Sequence, residues 1–569
     1  MRTLDWLVLV AALVGMVTYG LWKGRRPSSL DGYLLSNRDM RWTTVCLSIM
    51  ATQASAITFL STPGQAYVDG MRFVQFYFGL PLAMVVLSVT AVPIFHRLKI
   101  YTAYEYLERR FDRKTRSLAA GLFLVQRGLA CGLTIYAPAL ILSVLLGWSL
   151  VWTIIAIGTL VVIYTATGGT RAVSHTNSLQ MIIVLSGVLA VLVLTLTKLP
   201  AGTSFGDAVW MAGTMGRLNA IDLSFDWNNR YNIWSGLIGG FFLALSYFGT
   251  DQSQVARYLS GQSISQSRLG LLANGLVKVP MQFVILFSGA MVFVFYLFTV
   301  PPVFFNSVAV DHVRKSAHAT EFAAAEREYA RAHAERREAL EELSNLRHAP
   351  PTMPMLADTR TDLKGRVAAA DKRTVEAKGH AIDAIQAADP KAERRDVNYI
   401  FLTFVLNHLP LGFIGLVLAC VFAASMSSTA AELSALASTT VVDFYRRSVR
   451  PGADDGELVR VSRMSTVMWG VFAVLFAEFA GKLGSLVEAV NILGSLFYGT
   501  ILGIFLLAFY VKRAGGTAVF TGALIGEAVV VGFFAFSKIS FLWYNVIGCL
   551  VTMAAAWTLS WIPTTAKRS

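Results

Sequence analysis

The chain has 569 residues, of which 55% are hydrophobic and only 15% charged, against about 25% charged in soluble domains, which excludes a string of ordinary soluble domains. The net charge of +14 would suit a nucleic-acid binder if it lay on a soluble surface. Residues 308–398, however, hold 16 Lys/Arg and 16 Asp/Glu, so the whole excess lies in the apolar remainder and reads as membrane topology.

Taken in order, the N-terminal stretch MRTLDWLVLVAALVGMVTYGLW has no small-residue cleavage site before Lys23 and reads as a retained first span. Further apolar runs, each near the roughly 20 residues that a helix needs to cross a bilayer, predict about 13 spans. They begin near residues 5, 43, 74, 117, 150, 176, 231, 270, 399, 464, 486, 517 and 541. The second span, SIMATQASAITFLSTPGQAY, replaces the usual Leu/Ile face with small and hydroxylated residues and is expected to break at Pro63-Gly64. Backbone freed by such a break needs another partner, such as neighbouring helices, water or a cation. The small residues serve equally for close helix packing. In the fourth span Arg127 reads as a snorkelling or interhelical residue.

The seventh span carries Gly239-Gly240 and Gly249 and ends in polar residues, where Asp251 and Gln252 are expected to cap and pair. Lys278 lies within the eighth span, where an uncompensated lysine costs about 2.5 to 3.5 kcal/mol on insertion scales, so it should face a polar cavity or a partner. Residues 308–398 then form a charged insert. Phe322, Tyr329, Leu340, Leu343 and Leu346 recur at helical intervals before Pro350, Pro351 and Pro354, which predicts two amphipathic helices joined by a proline turn. A disordered charged linker is the alternative. In the ninth span, LACVFAASMSSTAAELSALASTTVVDFY, Ser427 and Ser428 with nearby carbonyls offer neutral hard oxygens suited to sodium. Hydroxyls bonding back to their own helix would give the same pattern. Glu432, Glu478, Glu488 and Glu527 are expected to pair with loop arginines, and Cys46, Cys131, Cys420 and Cys549 to be buried small hydrophobes.

With the N-terminus outside, the alternate inner loops carry 24 Lys/Arg and the short outer segments seven. That bias predicts an N-out, C-in protein of the inner (plasma) membrane with residues 308–398 outside, flanked by spans 1–8 in residues 1–307 and spans 9–13 in residues 399–569.

Five strings together resemble the sodium/solute symporter family: YFGTDQSQVARYLSGQSISQSRLG after the seventh span, TAYEYLERRF, ATGGTRAVSHTNSLQ, SMSSTAAELSALASTTVVDFY and GIFLLAFYVKR. The resemblance implies an all-α polytopic fold of the leucine-transporter 5+5 inverted-repeat type with discontinuous helices. It further implies a sodium site from the carbonyls of Ala51, Ala54 and Ala424 and the hydroxyls of Ser427 and Ser428. Members with a second sodium use an acid and further serines where this chain has Asn177, Ala430 and Ala431, which implies one sodium per cycle. The family's solute pocket matches Thr58, Gln75, Phe76, Tyr77, Ala244, Lys278 and Asn491, with Tyr247 in the place of an aromatic inner gate.

The chain is expected to be a bacterial member, and its segments 59–67 and 135–140 more closely resemble the monocarboxylate and vitamin branch than the sugar carriers. The expected activity is therefore sodium-coupled import of a small organic solute by alternating access, with a sugar or sialic-acid-type sodium symporter or a non-transporting solute sensor as alternatives. An enzyme is not expected, because outside the insert only His96, His175 and His408 are histidines and paired intramembrane carboxylates are missing. Expected partners are the solute and the lipid bilayer, with no nucleic acid. The protein is expected to work as a monomer, and what the insert meets is left open.

Overall fold

The computed structural model describes residues 2–23, 30–200, 202–347, 355–390, 392–480 and 485–561. Its first half holds α1 (Thr3–Lys23), α2 (Leu30–Leu35), α3 (Trp42–Gln53), α4 (Ala56–Asp69), α5 (Leu80–Val89), α6 (Ala91–Leu98), α7 (Ala103–Arg110), α8 (Arg113–Leu146), α9 (Leu150–Thr197) and α10 (Phe205–Thr214). A π-helical turn at Ser235–Gly239 leads into α11 (Gly240–Thr250), α12 (Gln252–Leu259) and α13 (Ile264–Phe298). The insert contributes α14 (Ser307–Arg314), α15 (Ala319–Arg347) and α16 (Met355–Ala388). The chain closes with α17 (Val397–His408), α18 (Phe413–Thr439), α19 (Asp455–Ala477), α20 (Leu486–Tyr510), α21 (Gly516–Phe536) and α22 (Leu542–Leu559).

Among the described residues ten helical runs are long and apolar enough to cross a membrane, and Thr3–Met16 and Ser235–Thr250 are shorter apolar helices. The run Ala56–Leu98 covers parts of what the sequence divides into a second and a third span, so the 13 expected spans do not appear run for run. The expected fifth and sixth spans share α9. A straight helix would set residues 164 and 176 about 18 Å apart, yet the Tyr164 and Thr176 hydroxyls lie 2.7 Å from each other. The helix therefore bends sharply between its two apolar stretches, Leu150–Thr167 and Thr176–Thr197.

Two expectations about breaks are corrected. Pro63 and Gly64 sit inside α4, and the interruption falls earlier, between α3 and α4, where Ala54 (φ −82, ψ 72) and Ser55 (φ −78, ψ 169) leave the helical region. Pro63 is tolerated because close contacts fix the backbone around it. A Cβ on Gly289 of α13 would come within 2.1 Å of the Pro63 carbonyl oxygen, and one on Gly64 within 2.1 Å of the Val397 carbonyl oxygen. The ninth span begins not near residue 399 but at Phe413, because α17 is a separate short helix. The junction turns at Gly412 (φ +84), a conformation that suits glycine. There Asp5 of α1 accepts from the Gly412 amide at 2.7 Å, capping an otherwise open helix start.

The insert is an antiparallel pair of helices with two small apolar cores. Phe322, Ala325 and Tyr329 of α15 meet Ala377, Ala381 and Ile385 of α16. Leu340 and Leu343 meet Leu363 and Val367, and this second core also takes in Met211 of α10 and Phe293 and Leu297 of α13. The predicted proline turn at Pro350, Pro351 and Pro354 lies outside the described residues. Polar contacts fasten the pair to the apolar bundle: the His333 ring donates to the Tyr296 carbonyl at 2.6 Å, and Arg347 pairs with Asp207 at 3.3 Å.

At the base of the insert, Glu393 accepts from the Tyr136 hydroxyl at 3.2 Å. Burial pushes its carboxyl up from 4.5 to about 7. A group that holds its proton more tightly when docked contributes fully below its free value, and that contribution is lost as pH rises through about 7. The protein should therefore lose up to about 3 kcal/mol between pH 5 and pH 8 from this residue. Thermal unfolding in detergent across that range checks it, and Glu393→Gln, which keeps the Tyr136 contact without a charge, should flatten the slope.

Candidate functional site

The break between α3 and α4 borders a central cavity of about 130 Å³, the scale of an engineered cavity that takes a benzene-sized molecule. Seven of the eight predicted solute residues line it: Thr58, Phe76, Tyr77, Ala244, Tyr247, Lys278 and Asn491. Gln75 does not. Its amide donates to the Tyr231 carbonyl at 2.9 Å, and its side-chain oxygen accepts from the Asp222 amide at 3.0 Å, so it pins the 3-10 segment Gly70–Tyr77 to the loop before α11.

Of the predicted sodium ligands, Ser428 also lines the cavity, beside Thr52, Gln53 and Ser55. At the end of α3, the Ala54 amide donates to Met50 and the Thr58 amide to Ser55. The carbonyls of Ala51 and Ala54 therefore accept no hydrogen bond among the described residues, which is the state a cation needs. Across from them in α18, the Ser428 hydroxyl donates to the Ala424 carbonyl at 3.0 Å, and the Ser427 hydroxyl donates to the Asn177 side-chain oxygen at 2.7 Å. A hydroxyl that donates its hydrogen sideways keeps its lone pairs for a cation. Asn177 in turn faces Ser48 of α3 at 3.4 Å. This amide links α18, α9 and α3 where an aspartate would add a charge.

A buried ionic network forms another wall. Arg127 of α8 is 3% exposed and bonds Asp251, the Tyr498 hydroxyl and, at 3.0 Å, Glu432. Tyr498 donates to Asp251 at 2.8 Å, and Thr134 donates to Glu432 at 2.8 Å. The other Asp251 oxygen caps α12 by accepting from the Ser253 amide at 2.8 Å. Four elements thus meet on one guanidinium: α8, the α11–α12 junction, α18 and α20. Of the two roles expected for Arg127, snorkelling and interhelical, the structure shows the interhelical one, because its partners lie within the bundle. Glu432 likewise pairs inside the membrane and not with a loop arginine, while Glu488 does pair with Arg230 and Arg395 outside the apolar runs. Glu478 and Glu527 make no ion pair among the described residues.

Lys278 is the contrasting case. It is 1% exposed, its ammonium stands 5.8 Å from the centroid of the Tyr77 ring, and among the described residues it has no carboxylate partner.

A model of the Sodium:solute symporter family matches residues 33–326 and 377–526. The chain belongs to the Sodium:solute symporter family. The symporter is 26% identical over 539 residues to sodium-coupled monocarboxylate transporter 2 of Bos taurus, covering 94% of this chain and 73% of that one. It is 25% identical over 530 residues to the sodium/iodide cotransporter of Homo sapiens, covering 92% of this chain and 68% of that one. It shares the fold of a Na+-coupled sialic acid symporter in a substrate-bound outward-open state, with a TM-score of 0.76 at 21% identity, covering 100% and 99% of the two chains. The symporter is therefore a multi-pass, sodium-coupled solute transporter with an all-helical, discontinuous-helix fold.

Arg127 and Glu432 are cavity residues that the sequence does not place in the pocket, Arg127 being expected to snorkel or bridge helices and Glu432 to meet a loop arginine. Their signal is present, since a charge inside an apolar span calls for a partner. The symporter pairs them across 305 positions, and no local pattern encodes that distance.

Proposed function

We propose that the symporter imports a small organic monoanion, a monocarboxylate in preference to a sugar, with one sodium ion per cycle. The observation that carries this reading is Lys278, a buried ammonium on the cavity wall with no carboxylate of its own. Burying a cation is costly unless it is paired, and a solute carboxylate supplies the missing partner. The two relatives act on a monocarboxylate and on iodide, both monovalent anions. Sodium sits between the Ala51, Ala54 and Ala424 carbonyls and the Ser427 and Ser428 hydroxyls, and its arrival favours the form open to the outside. Only the doubly loaded and the empty carrier cross readily, which is the condition for coupling.

The protein moves its solute without chemical conversion and works as a monomer. Its N-terminus and the insert face outside, its C-terminus faces the cytoplasm, and the membrane is the inner (plasma) membrane. The asymmetry of basic loops supports that orientation.

Energetics make the reading testable. A tenfold sodium gradient is worth about 1.4 kcal/mol, and about 150 mV adds about 3.5 kcal/mol per net charge moved. One sodium with one monoanion carries no net charge, so accumulation should follow the sodium gradient alone, at about tenfold. The experiment is uptake into proteoliposomes of labelled acetate, pyruvate, lactate and nicotinate, with sodium gradient and voltage set independently. Sodium-dependent, voltage-insensitive accumulation is expected, and Lys278→Met should reduce it by about two orders of magnitude. Strong voltage dependence would overturn the single-sodium assignment drawn from Asn177. Binding without accumulation would make the protein a sensor.

A further inference from the structure

A second cavity, of about 840 Å³, lies where the insert meets the bundle. Its walls come from the end of α4, the loop between α10 and α11, the insert and the first turn of α20. Glu488 on this wall directly follows Val487, which lines the central cavity. The two spaces are therefore neighbours along α20.

The charge on these walls is lopsided. Among the described residues, Arg72, Arg217, Arg230, Lys378, Arg394 and Arg395 line the space, against three carboxylates. Each carboxylate is engaged. Asp396 accepts from Lys378 and from the Phe305 amide, both at 2.9 Å, and Asp69 accepts from Gln65. Glu488 takes three donors: Arg230 at 2.5 Å and Arg395 at 3.0 Å on one oxygen, and the Tyr231 hydroxyl at 3.2 Å on the other. Arg72 is exposed and has no ion pair among the described residues, and Arg394 pairs only with the exposed Asp383 at 3.2 Å.

Two guanidiniums converging on one carboxylate oxygen are under-neutralised. The Arg230 and Arg395 side chains are 41% and 55% exposed, while that of Glu488 is 7% exposed. Each guanidinium has five N–H donors in a fork that suits carboxylates, so donors remain for a second carboxylate arriving from the open side. Arg230 belongs to the loop before α11 and Arg395 to the base of the insert, so the site exists only because the insert is docked there.

We propose that this vestibule captures a small carboxylate between Arg230 and Arg395, with Glu488 as the resident competitor that the incoming anion displaces before it enters the central cavity. This rests on the reading of the solute as a monoanion. A cleft with one sign of charge concentrates oppositely charged solutes and speeds their entry, in a salt-dependent way. The insert then has a function of its own: it carries half of an anion-binding pair to the mouth of the transport path.

The test uses the full-length protein in proteoliposomes and whichever of acetate, pyruvate, lactate or nicotinate the wild type takes up best. Arg395→Gln should raise KM about fivefold with the maximal rate unchanged, as expected for a rim charge that acts on entry. Glu488→Gln, which frees both arginines, should lower KM. The wild-type KM should rise with ionic strength, and this dependence should flatten in Arg395→Gln and be largely restored by Arg395→Lys. Unchanged KM and salt dependence in Arg395→Gln and Glu488→Gln, in the presence of normal wild-type carboxylate uptake, would overturn the capture site and leave the anion reading standing. A wild type that takes up none of the four carboxylates with sodium would overturn both.

Discussion

Replacing Arg127 with methionine should abolish sodium-driven uptake and destabilise the protein by about 3 to 5 kcal/mol, the usual cost of removing one partner from a buried ion pair. The guanidinium is the ion-pair partner of two buried carboxylates, Asp251 and Glu432, and no other cation pairs with either among the described residues. Methionine matches the aliphatic stem but leaves both charges unpaired inside the bundle. Lysine should rescue only in part, because a single ammonium cannot reproduce a planar fork that reaches Asp251, Glu432 and Tyr498 together.

The decisive comparison is the triple variant Arg127→Met, Asp251→Asn, Glu432→Gln. With all three charges gone, thermal stability should return towards the wild type, since a buried ion network is seldom worth more than its neutral replacement. Uptake should not return. The network joins the α11–α12 junction to α8, α18 and α20, and it lies about 16 Å along α20 from Val487, at 1.5 Å per residue. It therefore lines a part of the cavity remote from the vestibule, and uptake is expected to depend on these bonds being exchanged. A triple variant with full uptake would show that the network is only structural, and an Arg127→Met protein that melts and transports normally would refute both claims.

Sequence reading goes far with this chain because its dominant constraint is local. In a bilayer every backbone group must find a partner within its own segment or at a defined break, so spans show as apolar runs and breaks as small or polar interruptions. Ser427 and Ser428 are legible in that way, as hydroxyls presented inside an apolar span, whereas Ala51 and Ala54 come only from the family resemblance. Pro63 misleads for a physical reason. A proline weakens a helix, but here the carbonyl of Pro63 and the backbone at Gly64 are clasped by Gly289 and Val397, so the helix continues and breaks at Ala54 instead. Gln75 misleads differently. It neighbours two cavity residues in sequence, but a 3-10 segment turns successive side chains in different directions, and its amide serves a loop. The Arg127 network is not legible, and of the Arg230–Glu488–Arg395 cluster only the need of Glu488 for loop arginines is, because each joins residues from elements far apart in the chain.

Substituting Ser427 or Ser428 with alanine should raise the sodium concentration for half-maximal uptake by at least about tenfold, which corresponds to about 1.4 kcal/mol per lost ligand. The two variants should differ in stability. The Ser428 hydroxyl donates only to its own helix, at the Ala424 and Ser425 carbonyls, so its loss costs little. Loss of the Ser427 hydroxyl strips Asn177 of a buried donor at 2.7 Å, a penalty of about 1 to 3 kcal/mol for the unsatisfied group. Saturating sodium should restore the maximal rate in both, because a weakened ion site is refilled by mass action, whereas a misfolded protein is not. Sodium should also raise the melting temperature of the wild type, with the dose response of each variant shifted in step with its uptake curve. Variants with wild-type sodium dependence in both measurements would remove α18 from the ion site, and the free carbonyls of Ala51 and Ala54 would then have to be satisfied by water.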